Sequence, residues 1–314
     1  MRTTAPVAPA RPADHPLLHR GDVLAMALGA ALLSCTSIFV VLAQVAPGVS
    51  AFYRMLFGGT ALFGWVVLRG RWQPIRGRDA ALALLPALGL ATDLILWHRS
   101  ILWVGPGVAT LLTNFQVFLL AVVGVVAYRE RLAPAFWPGM ALALAGLWLL
   151  VGAHWSLFDV EHRLGVWLGL ASCLAYTVYL LSFRRALAGR SALPPAQFLG
   201  LMSLLCAGVL ALWCVADGES LALTTVRGWL SLLALGLLGQ VVAWLLIGSA
   251  MPRLPASLVG LLLLLQPALA FVVDVLLFGR PTSAMDWLGL LLALAGILLG
   301  ALRRRRPLPP PASG

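Results

Sequence analysis

Ten stretches of this chain are each long and apolar enough to cross a lipid bilayer, and this constrains the fold more than any motif in it. A hydrocarbon core about 30 Å thick needs about 20 mostly apolar residues of helix. Such runs fall at 22–45, 48–69, 79–98, 106–127, 133–152, 163–184, 196–216, 228–250, 256–278 and 284–302. Of the 314 residues 61% are hydrophobic and only 11% charged, against about 25% charged in a soluble domain. The mean hydropathy of +0.96 agrees. The expected fold is an all-α integral membrane protein of ten transmembrane helices.

The net charge of +11 and a pI near 11.1 would point to nucleic acid in a soluble chain, so the placement of the charge decides its meaning. There is no Lys; all 22 basic residues are Arg. With the N-terminus in the cytoplasm, the inside segments hold Arg2, Arg11, Arg20, Arg69, Arg71, Arg76, Arg78, Arg129, Arg131, Arg184, Arg185, Arg190, Arg253 and Arg303 to Arg306. Arg99, Arg163, Arg227 and Arg280 fall outside, and Arg54 lies within a span. This positive-inside bias places both termini in the cytoplasm and requires an even number of spans. It also excludes nucleic acid as a partner, because the arginines sit in short loops rather than on one face. The chain's partners are expected to be the lipid bilayer and a small-molecule substrate.

Residues 1–21 form a Pro- and Ala-rich cytoplasmic tail, and the apolar run Val23 to Ala43 exceeds a signal-peptide core, so it reads as a retained first helix. Residues 303–314, "RRRRPLPPPASG", form a basic, Pro-rich cytoplasmic tail. Cys35, Cys173, Cys206 and Cys214 all fall within spans without metal-ligand spacing, and read as small packing residues. No metal or cofactor is expected.

Internal similarity organises the chain further. The segment from Leu112, "LTNFQVFLLAVVGVVAYRERLAPAFWPGMALALAGLWLLVG", aligns without gaps on the one from Leu262, "LLLLQPALAFVVDVLLFGRPTSAMDWLGLLLALAGILLGAL". The offset of 150 residues pairs Gln116 with Gln266 and Gly139 with Gly289. With three residues inserted, "ALGL" at 87 meets "ALGL" at 234. The repeats are 22–152 and 163–302. Five spans in each half is an odd number, so the second half must enter the membrane inverted. Halves of opposite orientation can exchange inward- and outward-open shapes around a midplane site, the architecture of many carriers.

The sequence resembles the EamA-type drug/metabolite transporters over nearly its whole length. The resemblance is carried by "DLILWHRSI" followed by "GVATLLTN" and the Arg-Glu-Arg-Leu turn after span four, and in the second half by "LGQVVAWLLIGSAMPRLPASLVGLLLLLQP". It implies two inverted five-helix repeats, a central cavity, and movement of small metabolites or drugs, often outward across the bacterial inner membrane. Two positions depart from the family pattern. Val117 stands where Pro usually follows the Asn of span four, which predicts a more continuous helix there. Gly279-Arg280 replaces the usual Gly-Glu after span nine, leaving Glu130 without a symmetric counterpart.

An ionisable group at membrane depth costs at least about 2.5–3.5 kcal/mol, so it is expected to face the interior and to have a partner. At about 1.5 Å per residue, Arg54 lies about 9 Å and Asp93 about 8 Å from the outer ends of successive spans. They are predicted to form an ion pair in the cavity, either a static brace or a site where Arg54 receives a substrate anion and Asp93 a proton. Near the midplane stand Asn114, Gln116, Gln240 and Gln266, with Tyr176 and Trp244 beside them. These eight are the candidate substrate-binding residues, although buried amides also serve to join helices. Pro267 frees the carbonyl of Leu263 in mid-membrane. Asp274, about 6 Å from the end of span nine, is a second proton-coupling candidate beside Asp93, or a carboxylate snorkelling to the interface. Trp97 and Trp103 are expected in the interfacial aromatic belt, with His98 at its edge and Arg99 in water.

No catalytic residues are expected. There is no phosphate-binding loop and no Ser-His-Asp order, and of five His only His98 falls within a span. Asp93 and His98 are five residues apart, about 140° around a helix, and do not form a dyad. The function expected is secondary transport of a small metabolite, an amino acid or related amphiphile, outward by alternating access. A channel-like pore is the alternative, with a membrane-embedded enzyme well behind it. Small-residue motifs at Gly165/Gly169 and Gly296/Gly300 favour close helix packing, the latter within the bundle or between two copies in a homodimer.

Overall fold

The protein is described by a computed structural model covering residues 20–128, 134–187, 191–254 and 256–301. Both tails and Glu130 lie outside the described residues. Among these the regular structure is entirely helical: α1 (Arg20–Ala43), α2 (Pro47–Leu68), α3 (Gly77–Asn114), α4 (Gln116–Tyr128), α5 (Phe136–Leu150), α6 (Val160–Leu187), α7 (Pro195–Ala216), α8 (Val226–Ala234), a π-helical segment (Leu235–Val242), α9 (Ala243–Ala250), α10 (Ala256–Leu263), α11 (Leu265–Phe278) and α12 (Ala284–Ala301). Local chemistry sets several ends. α2 and α7 open with Pro in the first turn, where its missing N–H goes unneeded. Thr225 caps α8 by accepting from the Gly228 N–H at 3.0 Å.

Among the described residues eight helical stretches are long and apolar enough to cross a membrane, and the chain is a multi-pass membrane protein. One stretch, Gly77–Val126, is 50 residues long, about 75 Å if straight and more than twice a hydrocarbon core. It is not straight. Gly105 adopts φ 82°, ψ 159°, a conformation L side chains rarely take, and Pro106 follows. A Cβ on Gly169 of α6 would meet both Leu112 (2.7 Å) and Ser100 (3.0 Å). Those two residues would be about 18 Å apart in a continuous helix, so the two arms run back alongside each other.

The membrane passages break again at equivalent places in the two halves. α3 gives way to α4 at Phe115, and α10 to α11 at Leu264. The second break is expected from Pro267, which sits in the first turn of α11. The first corrects the expectation that Val117 leaves span four more continuous. Its cause is visible in the side chains: Thr113 Oγ1 donates to the Ala109 carbonyl (3.1 Å) and Asn114 Nδ2 to the Thr110 carbonyl (2.8 Å). Polar side chains that bond the carbonyls four residues back compete with the helix ladder and bend it.

Small residues bring α5 and α12 into backbone contact. A Cβ on Gly146 would meet the Gly289 carbonyl at 2.5 Å, and one on Gly296 the Gly139 carbonyl at 2.5 Å. The 150-residue offset converts each contact into the other. Gly300 packs on Phe118. The Gly296/Gly300 motif is therefore used inside the bundle rather than as a surface for pairing two copies.

Candidate functional site

Helices from both halves enclose a cavity of about 650 Å³, including the part open to solvent. All eight residues singled out from the sequence line it: Arg54 from α2, Asp93 and Asn114 from α3, Gln116 from α4, Tyr176 from α6, Gln240 from the π segment, Trp244 from α9 and Gln266 from α11. Leu33 and Thr36 of α1, Leu90, Leu94, Trp97, Thr110 and Thr113 of α3, and Tyr179 of α6 complete the wall.

Arg54 and Asp93 face this cavity but do not form the predicted ion pair. Among the described residues, ion pairs join Arg99 to Asp217, Arg253 to Asp22 and Arg280 to Asp274. Each partner of the expected pair is held by something else. Asp93, 5% exposed, accepts from Ser172 Oγ at 2.5 Å. Ser172 Oγ is in turn 3.1 Å from Thr113 Oγ1; the Ser172 proton goes to Asp93 and the Thr113 proton to the Ala109 carbonyl, so Asp93 Oδ1 is served by Ser172 itself. The Arg54 guanidinium lies 5.6 Å from the centroid of the Trp97 ring, and its buried Nε has no hydrogen-bond partner. A desolvated cation over an aromatic face gains about 2 kcal/mol, which offsets only part of the cost of burying it.

The amides present a similar pattern of unmet capacity. Gln116 Oε1 is buried with no donor, as is Thr110 Oγ1. Gln240 reaches only Ser203, at 3.3 Å. A buried donor or acceptor left unpaired costs about 1–3 kcal/mol. The cavity therefore offers a cation out of ion-pair contact with any carboxylate among the described residues, and acceptors lacking donors, among aromatic rings.

Three interfacial expectations are corrected. Trp97 is 6% exposed and His98 fully buried, because α3 continues to the bend at Gly105 and places Trp97 about 12 Å before it. The Ser50 hydroxyl donates to the Pro47 carbonyl (2.9 Å) and so accepts from His98 Nδ1, 2.6 Å away, which holds His98 in protein and not at the lipid edge. Asp274 is neither snorkelling nor at the cavity wall. It is 3% exposed, accepts from the Gly107 N–H at 3.2 Å and pairs with Arg280 at 3.4 Å. Arg280 donates to the Val104 carbonyl at 2.7 Å. Together they satisfy the backbone groups that the Gly105 bend exposes, so Asp274 braces that bend. Arg99 is partly exposed, as expected, and ion-paired with Asp217.

Sequence reasoning found the charged and amide residues because each is anomalous in an apolar run. It missed Trp97, Ser172 and Thr113, whose types are ordinary in membrane helices; only the adjacency of Thr113 to Asn114 could have flagged it. No metal-binding group of His, Cys, Asp or Glu occurs among the described residues.

Comparison with known proteins agrees with this architecture. The sequence profile of the EamA-like transporter family matches twice, at residues 20–152 and 163–301. The chain is 32% identical over 239 residues to the chloramphenicol-sensitive protein RarD of Pseudomonas aeruginosa, covering 73% of this chain and 75% of that one. It is 25% identical over 257 residues to the uncharacterized transporter YdfC of Bacillus subtilis, covering 81% of each. A solved crystal structure superposes with a TM-score of 0.63 at 21% identity, over 90% of this chain and 98% of the other; that likeness establishes a shared fold. With a cavity built from both matched halves and the family profile spanning almost the whole chain, the protein belongs to the EamA-like transporter family.

Proposed function

We propose that the chain is a secondary carrier that moves a small metabolite outward across the bacterial inner membrane by alternating access. Reading Gly77–Val126 as two passages and adding the shorter apolar helix Ala284–Gly300 to the eight long stretches gives ten, in two inverted halves with both termini cytoplasmic. The exchange of the α5–α12 contacts under the 150-residue offset supports this symmetry.

The substrate is an amino acid or a related amphiphile. One observation carries this reading: Arg54 and Asp93 face the same cavity and are each held by a different neighbour. A carboxylate would complete Arg54, and an ammonium would donate to the acceptor oxygens of Asp93 and Gln116, with the aromatic rings receiving the apolar part. Asp93, whose Oδ1 is already served by Ser172, is also the group placed to exchange a proton with the cavity.

A thermal-shift screen of metabolites against purified protein, run in parallel on Arg54→Ala, tests the reading. A carboxylate-bearing metabolite should stabilise the native protein and not the variant, and should show saturable, self-competed flux in proteoliposomes. Equal stabilisation of both proteins refutes the role of Arg54, and flux that never saturates indicates a pore.

A further inference from the structure

Where α2 ends and α3 begins, the chain crosses the stretch "RGRWQPIRGR" (69–78), which holds Arg69, Arg71, Arg76 and Arg78 and no acid. All of it is exposed. The end of α6 and the start of α7 adjoin it. Ser191 Oγ donates to Asp79 Oδ1 at 2.9 Å, and the Ser191 N–H donates to the Ala186 carbonyl of α6 at 3.1 Å. The exposed Arg184 therefore belongs to the same corner as Arg78. Asp79 is buried and accepts from the Arg76 N–H at 3.1 Å with its other oxygen. Among the described residues no ion pair includes Arg69, Arg71, Arg76, Arg78 or Arg184.

This basic stretch is held in a fixed shape. Gln197 of α7, 0% exposed, grips the backbone of Gln73 twice: its Oε1 accepts from the Gln73 N–H (2.9 Å) and its Nε2 donates to the Gln73 carbonyl (2.6 Å). Trp72 sets its ring edge-on to Phe63, 5.1 Å between centroids. The Arg69 guanidinium lies 5.5 Å from the centroid of the Trp65 ring. Arginines that only orient a chain in the membrane need to stand on one side of it, not in a fixed relation to one another. Fixing them keeps their mutual repulsion and pre-organises them for an anion.

Bare apolar surface adjoins the arginines. Leu68 is 89%, Val67 57% and Trp72 43% exposed. A soluble anion would use the guanidinium groups alone, whereas an amphiphile with an anionic head uses both surfaces. We propose that this corner binds an anionic phospholipid, with Arg71 and Arg78 on the phosphate of its headgroup and Val67, Leu68 and Trp72 against its acyl chains. Among the described residues no hydrogen bond, ion pair or ring contact engages the side chain of either arginine, and a guanidinium meets phosphate oxygens two at a time. The bound lipid ties together the ends of α2, α3 and α6, which carry Arg54, Asp93 and Tyr176 to the cavity. The site is independent of which solute that cavity carries.

Purified protein in neutral detergent, titrated with phosphatidylglycerol or phosphatidylcholine and followed by its melting temperature, tests the site. Phosphatidylglycerol should stabilise the native chain at a mole fraction at least about fivefold lower than phosphatidylcholine. At about 1 kcal/mol per arginine, Arg71→Gln should raise the half-saturating mole fraction of phosphatidylglycerol about fivefold, and Arg71→Gln with Arg78→Gln about 25-fold. Arg227→Gln makes the same charge change at the opposite end of the bundle, where Gly228 meets Ala43, and should leave that fraction within about twofold. Glycerol 3-phosphate, a headgroup without chains, should not stabilise. Equal stabilisation by the two lipids overturns the site and needs no variant. Equal losses in Arg71→Gln and Arg227→Gln overturn it too, as the general attraction of a basic protein for anionic lipid. Stabilisation by glycerol 3-phosphate as large as that by phosphatidylglycerol overturns the lipid in favour of a soluble anion.

Discussion

Replacing Asp274 should destabilise the protein although the residue lies outside the cavity. The structure gives this carboxylate two tasks, accepting the Gly107 N–H and holding Arg280 against the Val104 carbonyl. In Asp274→Ala the Gly107 donor is buried without an acceptor, a loss of about 2 kcal/mol. Arg280 is 17% exposed in its side chain and can reach water, so the full penalty of about 3–5 kcal/mol for orphaning a buried ion does not apply; about 1 kcal/mol suits a partly screened pair. The total of about 3 kcal/mol corresponds to about 6 °C at about 2 °C per kcal/mol for a large chain. Asp274→Asn keeps an oxygen for Gly107 and should lose about 2 °C on the same scale. Arg280→Ala leaves the 3% exposed Asp274 carboxylate without its cation and should lose at least as much as Asp274→Ala, and the double alanine variant should lose less than the sum by at least about 1 kcal/mol, because the pair shares one task. Thermal unfolding in detergent, followed by the fluorescence of the twelve tryptophans, measures all four. A loss under about 1 °C in Asp274→Ala, as a snorkelling carboxylate would give on the same scale, or strictly additive losses, refutes the reasoning.

Other expectations follow from the same contacts. Gly146→Leu or Gly296→Leu should abolish most folded yield, since the new side chain meets backbone across the α5–α12 seam, while Gly64→Ala, with nothing within 4 Å, should change the melting temperature by no more than about 1 °C; equal effects would discount the seam. Ser172→Ala should cost about 1–2 kcal/mol by leaving Asp93 Oδ1 without its donor, and adding Asp93→Asn should recover part of it, which unfolding curves of the two variants decide. Trp97→Ala should weaken the binding of any carboxylate found in the screen by about tenfold, whereas Trp97→Phe keeps a ring under Arg54 and should weaken it less; titration calorimetry showing equal losses would discount the cation–ring contact.

Membrane class and cavity membership were legible because they follow from bulk rules. A membrane helix must be long and apolar, so Arg54, Asp93 and the four amides stood out, and all of them reach the cavity. Partner choice was not legible. Depth along two helices places Arg54 and Asp93 at one level but says nothing of rotation, and rotation is what sends Asp93 to Ser172 and Arg54 to Trp97. The error over Trp97 and His98 has a second cause: hydropathy ended span three at residue 98, whereas the helix ends at a glycine bend whose conformation leaves no hydropathic signature. The π segment was silent for a related reason, since one surplus residue leaves unchanged the pattern of a helix that is apolar on every face.

The paired breaks at Phe115 and Leu264 differ in what makes them. In the second half a pyrrolidine ring bends the chain, and no movement of the protein can restore the missing donor. In the first half two side-chain hydrogen bonds do so, each worth about 1 kcal/mol, and both can let go. Halves alike in pattern are therefore unlike in compliance: one elbow is fused and the other can straighten. A pair of second halves would carry two fused elbows and none that can straighten.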